Sequence, residues 1–173
     1  MNHLGTNTIY TERLILRRLE QKDSKSLFDN GCLGSTEEEA ENIVEEMIKY
    51  YVDKDNFNWG IEYDKKIIGR IKVIEISSRD NYVQLAYDIG LQHRNKGLMT
   101  EAVRGVISFL FNDVGVHRIY GQCRTYNIAS ARVMQKAGMI HEGRLRKHFI
   151  ELDGTYSDVD IYGIIREEYN NTL

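Results

Sequence analysis

Residues 94–100 combine two cations, a glycine and several small polar groups in one short segment that lies just before a long apolar-periodic stretch. A segment of this kind can hold a phosphate, because the first N–H groups of a helix and the helix dipole attract anions. Gly97 permits a positive φ or a close approach of ligand to backbone, and Arg94 and Lys96 can add charged hydrogen bonds. The alternative is a solvated basic turn with a glycine bend. The candidate phosphate-binding residues are Arg94, Asn95, Lys96, Gly97, Leu98, Met99 and Thr100.

A second polar pair, Asn127 and Ser130, stands at the start of another helical pattern. Asn127 occupies a position that favours local hydrogen bonding to the helix backbone. It could also hold a ligand amide, with Ser130 on the first helical turn directed the same way. On the pair alone, the capping interpretation is favoured.

The elements around these two segments are predicted to bring them together. Residues 82–91 alternate in polarity as a strand does, and residues 99–114 carry a helical apolar face. Residues 117–124 are strand-like, and residues 130–137 form a helix that ends at Gly138. Each polar segment therefore follows a strand and opens a helix.

The rest of the chain predicts a sheet flanked by further helices. A capping box of Ser35 and Glu38 opens a helix that runs to about residue 52. Mixed helices and strands around a three-strand meander predict the α+β class and a mainly antiparallel sheet in a single domain, residues 1–173. The remaining predicted elements are strands at 14–19, 57–63, 67–76, 144–152 and 156–165, a short extended segment at 139–142 and a short helix at 23–29.

Composition excludes several classes of protein. The net charge of −3 gives no electrostatic case for direct nucleic-acid binding, and no apolar run is long enough to span a membrane. Cys32 and Cys123 form neither a disulfide framework nor a metal-ligand spacing. We therefore expect a reduced, cytoplasmic protein without a metal.

Taken together, the motifs resemble those of the GNAT superfamily of acyl-CoA-dependent N-acetyltransferases, in particular the Rim-type branch that acetylates the N-termini of ribosomal proteins. The phosphate loop of that family has Gln or Arg, then Gly three positions later, then Gly or Ala two positions beyond. Arg94 and Gly97 match this loop, and Met99 departs from it. The resemblance runs through nearly the whole chain, in Thr11, Glu12, Arg13, Leu14, Leu16, Arg17, Thr100, Glu101, Ala102, Asn127, Ser130, Lys136, Gly138, Glu142, Gly143, Leu145, Arg146, Asp153, Gly154, Tyr156 and Asp158.

The resemblance implies the acyl-CoA N-acyltransferase fold, with a mixed, mainly antiparallel seven-stranded sheet, and acetyl-CoA as the donor. The loop at 94–100 would hold the pyrophosphate, and the pantetheine would lie where strands 82–91 and 117–124 part. Backbone groups near Ile89 and Leu91 would bind the pantetheine or polarise the thioester carbonyl. Asn127 would bind the pantetheine arm, and Ser130 would lie close to the sulfur.

The chain departs from the family at the positions that would move protons. The position where many relatives have an acidic tyrosine is Met134, and a carboxylate common on the third meander strand is replaced by Gln84. Ser130 is the next candidate for the acid. Glu75 is a candidate base, acting through water, and its alternative interpretation is a solvent-facing charge at a strand end.

The acceptor implied by the resemblance is a primary amine, and the branch implies a protein N-terminal α-amine. A site without a strong base suits an α-amine, whose pKa near 8 leaves roughly two orders of magnitude more free amine at neutral pH than a lysine does. The acceptor pocket is expected to be open, because only six residues, 29–34, join the first two helices. Two alternatives remain, a small-molecule acetyltransferase that acts on a polyamine or an antibiotic, and a non-catalytic acyl-CoA-binding module. The family also implies a homodimer.

Overall fold

A single sheet of eight strands organises the molecule in the computed structural model, which describes residues 1–170. The strands are β1 (Ile9–Tyr10), β2 (Ile15–Arg17), β3 (Asn58–Tyr63), β4 (Lys66–Ser77), β5 (Tyr82–Ile89), β6 (Arg118–Arg124), β7 (Ile140–Ile150) and β8 (Tyr156–Ile165). Their order across the sheet is β1-β2-β3-β4-β5-β6-β8-β7. Neighbouring strands are antiparallel except β5 and β6, which are parallel.

Five α-helices accompany the sheet among these residues: α1 (Ser24–Asp29), α2 (Glu37–Lys49), α3 (Leu98–Phe109), α4 (Ile128–Lys136) and α5 (Arg166–Asn170). A π-helical turn, Leu110–Val114, extends α3. The predicted mixed, mainly antiparallel sheet flanked by helices is confirmed. The predicted domain ends at residue 173, and its last three residues lie outside the described part of the chain.

The predicted count of seven strands is wrong, because the sheet has eight. The additional strand is β1, which has two residues and is too short to show any periodicity. The predicted separation of residues 139–142 from 144–152 is also wrong, because β7 runs unbroken from Ile140 to Ile150. Two irregularities in its pairing with β8, near Gly143 and again before Phe149, interrupt the regular alternation that would mark a single long strand in the sequence.

The start of α2 is shifted by one residue from the predicted capping box. Thr36, not Ser35, is the N-cap, and its side chain accepts a hydrogen bond from the backbone N–H of Glu39. The Glu39 carboxylate in turn accepts from the Ser35 backbone N–H at 2.7 Å. Consecutive Ser35 and Thr36, followed by three glutamates, make both registers chemically plausible, so packing decides between them.

The two faces of the sheet are covered differently. Helices α3 and α4 pack on one face, where Leu85, Val103 and Met134 belong to the larger core cluster. Helices α1 and α2 cover part of the other face through a smaller cluster that contains Leu27, Val44 and Ile67. The β5–β6 half of this second face is therefore not covered by the smaller cluster.

The parallel strands β5 and β6 separate halfway along their length. They pair from Tyr82 to Leu85 and from Arg118 to Gly121. Beyond this point β5 stays paired with β4, and β6 stays paired with β8. A gap therefore opens inside the sheet between residues 86–89 and 122–124, with the first turns of α3 and α4 beside it.

Candidate active site

A groove of about 540 Å³ lies at the end of β5, beyond the point where β5 and β6 part. We call it the central groove. It unites the end of β5, the loop before α3 and the first turns of α4 in one concave surface. Its lining residues are Tyr87, Asp88, Ile89, His93, Arg94, Asn95, Gly97, Leu98, Met99, Thr100, Asn127, Ile128, Ala129, Ser130, Arg132, Val133 and Lys136.

The loop at 94–100 forms the N-terminal end of α3, as the sequence predicts. Gly97 is the N-cap with φ 76°, a left-handed conformation that favours glycine. Asn95 also has a positive φ, 60°, which asparagine tolerates better than most residues. The first N–H groups of a helix have no carbonyl partner within the helix, so this turn can present donors and the positive dipole end to an anion.

An ion pair from the start of the chain holds this loop in place. Glu101, on the first turn of α3, accepts from the Thr11 hydroxyl at 2.6 Å and from Arg13 Nε at 2.7 Å. Arg13 also donates through Nη1 to the Lys96 carbonyl at 3.1 Å. Burial alone would raise the pKa of Glu101, but these hydrogen bonds outweigh it and lower the pKa. The loop is therefore anchored by an ionised carboxylate.

Asn127 and Ser130 lie on the opposite wall of the central groove. Asn127 is the N-cap of α4, and its Oδ1 accepts from the Ser130 backbone N–H at 3.2 Å. The capping interpretation is therefore correct, and it leaves the amide nitrogen of Asn127 available to a ligand in the groove. Capping and binding do not exclude each other here, because they use different atoms of one side chain.

Tyr87 connects β5 to Ser130. Its hydroxyl lies 3.0 Å from Ser130 Oγ and donates to the Ser130 carbonyl at 3.1 Å. Burial raises the pKa of the Tyr87 phenol, which therefore stays protonated at neutral pH. The pair places two hydroxyls side by side in the wall of the central groove.

Met134 cannot contribute to proton transfer. It is buried against β6, with its sulfur 2.9 Å from where a Cβ on Gly121 would stand. A side chain that fills the contact between α4 and β6 in this way serves packing. The residue that the resemblance would make an acid is part of the core.

Glu75 lies away from the central groove. Its carboxylate accepts from the Tyr82 hydroxyl at 2.7 Å and from the Tyr120 hydroxyl at 2.5 Å. Hydrogen bonds from Tyr120 and Tyr82 lower the pKa of Glu75, so the carboxylate is a weaker base than an ordinary glutamate. The structure places it beside the paired half of β5 and β6, opposite Gln84.

Most of the predicted donor-binding residues lie together in the lining of the groove, including Ile89, Arg94 and Ser130. Two do not line it. Leu91 lies in a 3₁₀ turn, Leu91–His93, and is 74 % exposed. Lys96 is exposed, and its backbone carbonyl accepts a hydrogen bond from Arg13.

Sequence reasoning missed Asp88, His93 and Arg132, which also line the groove. A signal for Asp88 was present, because it is the only carboxylate in the alternating stretch 82–91. Within residues 1–170 we find no group of three or more histidine, cysteine or acidic side chains able to hold a metal ion. None of the helices in that range combines the length and the apolar character that a membrane crossing requires.

Comparison with known proteins agrees with this geometry. A family model described as an acetyltransferase (GNAT) domain matches residues 13–140. The chain is 29% identical to the uncharacterized N-acetyltransferase YoaA of Bacillus subtilis, over 90% of this chain and 95% of that protein. It is 25% identical to spermidine N(1)-acetyltransferase of Vibrio cholerae, over 62% of this chain and 61% of the relative.

Solved structures give the same fold. A GNAT-family acetyltransferase from Bacillus anthracis superposes with a TM-score of 0.81 at 25% identity, covering 93% of this chain and 99% of that one. RimL, a ribosomal L7/L12 alpha-N-protein acetyltransferase solved with coenzyme A, superposes with a TM-score of 0.80 at 18% identity, covering 92% and 98%.

Proposed function

Because the chain belongs to the GNAT acetyltransferase family, we propose that it transfers the acetyl group of acetyl-CoA to a primary amine, specifically the α-amine of a protein N-terminus. The observation that carries this proposal is the central groove, which joins an anion-attracting helix end to a pair of hydroxyls through a gap in the sheet. A pyrophosphate, a pantetheine arm and a thioester require these features in this order.

The donor would lie along the groove from the loop at 94–100 toward Ser130. The Gly97 turn and Arg94 suit the pyrophosphate. The backbone of Ile89 and the free amide nitrogen of Asn127 suit the amides of the pantetheine arm. The groove volume of about 540 Å³ is within the range of small-molecule sites, and the adenosine would extend beyond it over the surface.

The reaction would be direct attack of the neutral amine on the thioester carbonyl. The C–N bond forms as the C–S bond breaks, and the sulfur leaves with a proton as the thiol. Ser130 supplies a hydroxyl close to the sulfur, and backbone N–H groups at the end of β5 would polarise the carbonyl. No covalent intermediate on the protein is required.

An α-amine is the favoured acceptor on acid–base grounds. At neutral pH an α-amine is free to a far greater extent than a lysine, whose pKa is about 10.4. The short connection between α1 and α2, residues 30–36, leaves room for a chain end at the acceptor side. The similarity to the ribosomal enzyme RimL supports the same class of acceptor.

A polyamine is the second candidate, and a specific observation favours it. One relative acts on spermidine, and the first turn of α2 carries Glu37, Glu38 and Glu39, which would attract a polycation. The third candidate is an acyl-CoA-binding module without activity. Its only support is that Met134 and Gln84 stand where many relatives have titratable side chains.

The test is release of free thiol from acetyl-CoA in the presence of an amine panel. The panel contains peptides with a free N-terminus, the same peptides with a blocked N-terminus and one lysine, and spermidine. We expect the free N-termini to react fastest. Faster turnover of spermidine would overturn the α-amine proposal. Binding of acetyl-CoA without turnover on any amine would make the protein a binding module.

A further inference from the structure

Two neighbouring residues on β5, Tyr87 and Asp88, point to opposite faces of the sheet, as consecutive strand residues do. Tyr87 meets Ser130 on the α4 face. Asp88 meets Arg70 of β4 on the face that carries α1. Both nevertheless line the central groove. The groove therefore reaches β5 at its end, beyond the point where β5 and β6 separate.

The carboxylate of Asp88 is only half satisfied. Its Oδ2 accepts from Arg70 Nε at 2.8 Å, whereas Oδ1 is buried and has no hydrogen-bond partner among the described residues. The thiol of Cys32, a weak donor, lies near enough to this carboxylate to lower the Asp88 pKa, and its sulfur is also 3.7 Å from the Asn30 carbonyl and 3.8 Å from the Ile68 carbonyl. The side chain as a whole is 36 % exposed, so a ligand can approach it. A carboxylate with one enclosed oxygen that lacks a close donor is costly, and an ammonium group that approaches the exposed part of the side chain would add a charged donor.

We propose that Asp88 is the general base that removes a proton from the acceptor amine. This inference rests on the proposed acetyl transfer and names the residue that prepares its nucleophile. With the thioester on the Tyr87 and Ser130 side of the sheet, the amine would arrive from the Asp88 side. The amine nitrogen would then approach one face of the planar thioester carbonyl, as addition to a carbonyl requires.

The protons balance as follows. The ammonium R–NH₃⁺ gives one proton to Asp88 and becomes R–NH₂. Its lone pair forms the C–N bond, the C–S bond breaks, and the second proton leaves the nitrogen as the sulfur becomes a thiol. Asp88 then returns its proton to water. The net products are the amide, CoA thiol and one released proton.

The surroundings of Asp88 suit this role. Burial raises its pKa, and the charge of Arg70 offsets that rise only in part. A carboxylate with a raised pKa is a stronger base than an ordinary aspartate. The titratable and charged groups that face it are Arg70 and Lys72 from β4 and Cys32 from the loop after α1, with His93, Arg94 and Arg132 along the groove.

The test compares the pH dependence of kcat/KM for wild type and Asp88→Asn, with a peptide N-terminus as acceptor. The variant can use only amine that is already neutral, so its rate should rise about tenfold per pH unit below the amine pKa near 8. The wild-type rate should be much flatter between pH 6 and 8. The kcat/KM of the wild type divided by that of Asp88→Asn should therefore fall from roughly 100 at pH 6 to a few-fold at pH 9.

A matched control is Asp23→Asn. Asp23 is a buried aspartate that accepts from Arg17 at 2.7 Å and lies outside the central groove. This variant loses a similar ion pair, so it should lose stability without changing the shape of the pH profile. Acetyl-CoA binding, measured by calorimetry, should fall much less in Asp88→Asn than kcat/KM does at pH 6, because the carboxylate meets Arg70 on the face of the sheet opposite to Ser130.

Each remaining outcome gives a decision. A constant ratio across pH would overturn the base assignment and leave Asp88 a structural residue. A pH-dependent defect in Glu75→Gln but not in Asp88→Asn would assign the base to Glu75 instead. Failure of the wild type to turn over any amine would instead contradict the proposed function, and the two failures are thus distinguishable.

Discussion

At the scale of single residues, the hydroxyls of Tyr87 and Ser130 decide what kind of acid the groove contains. A phenol whose pKa lies above 10 cannot readily protonate a thiolate, whose conjugate thiol has a pKa near 8.5. The gap of at least 1.5 units costs about 2 kcal/mol or more. In the proposed reaction Tyr87 would therefore orient Ser130, and Ser130 would donate a hydrogen bond to the sulfur.

Removing the Ser130 hydroxyl tests this assignment. We expect Ser130→Ala to lower kcat by about 10- to 100-fold, because one donor to the developing charge is lost. Tyr87→Phe keeps the serine hydroxyl, and we expect it to lower kcat by less than about tenfold. Steady-state kinetics with saturating amine measure both. Equal losses in the two variants would show that the tyrosine does more than orient the serine.

Ionisation of Asp88 should also affect stability. Its pKa is raised in the folded state, so the folded protein binds this proton more tightly than the unfolded chain does. The resulting stabilisation is present below the unfolded value near 3.9 and is lost as the pH rises through the folded pKa. Asp88→Asn cannot ionise at this position. As the pH rises from 3 to 7, the free energy of unfolding of the wild type should therefore fall relative to that of the variant. Urea unfolding at the two pH values measures this difference, and a relative gain for the wild type would contradict it.

At the scale of elements, the loop before α3 depends on a backbone conformation as much as on its charges. Gly97 has φ 76°, and a Cβ there would meet Arg13 Nη2 only at an ordinary 3.5 Å. The penalty of a larger residue is therefore mainly conformational, about 1–2 kcal/mol. The loop that predicts an anion site in the sequence needs this glycine for its shape.

Gly97→Ala should therefore raise KM for acetyl-CoA by about 3- to 10-fold, with a smaller effect on kcat. The reason is that the loop would relieve part of the conformational cost of a positive φ by changing the shape of the anion site. Gly115→Ala is the matched control, because Gly115 has φ 83° after the π-helical turn and does not line the groove. It should lose similar stability and keep the wild-type KM. Thermal unfolding and initial-rate kinetics check the pair. An equal rise of KM in both would mean that the effect is not local to the loop.

At the scale of the whole molecule, the site is a gap between elements that are distant in sequence. β5 and β6 are joined through α3, and each leaves the other halfway to remain with its antiparallel neighbour. A ligand in the central groove would contact the end of β5, the start of α3 and helix α4. Binding should therefore stabilise the folded molecule as a unit.

Acetyl-CoA at about 100 times its dissociation constant should add about 2.7 kcal/mol to the stability. For a chain of this size that corresponds to a rise in Tm of roughly 5–10 °C. Differential scanning fluorimetry over a concentration series measures it. No shift at concentrations that saturate turnover would contradict binding to the folded groove, and desulfo-CoA serves to show whether the thioester itself is needed.

The sequence by itself determined the class of the fold, most of the long elements and the two polar segments. These features are local: apolar periodicity marked β5 and α3, and the residue types at Gly97, Asn127 and Ser130 carried the chemistry of the helix starts. Short or irregular elements escaped, since β1 has two residues and the bulges of β7 break its alternation.

Only the tertiary structure decided how these parts combine. The gap between β5 and β6 depends on hydrogen bonds between strands that are about 35 residues apart, which no local pattern encodes. That gap brings Asp88 to the same groove as Tyr87 although the two side chains point to opposite faces, and it leaves Glu75 outside. Residue types in the sequence thus predicted the donor site, whereas the burial and pairing that select a base arise only when the sheet forms.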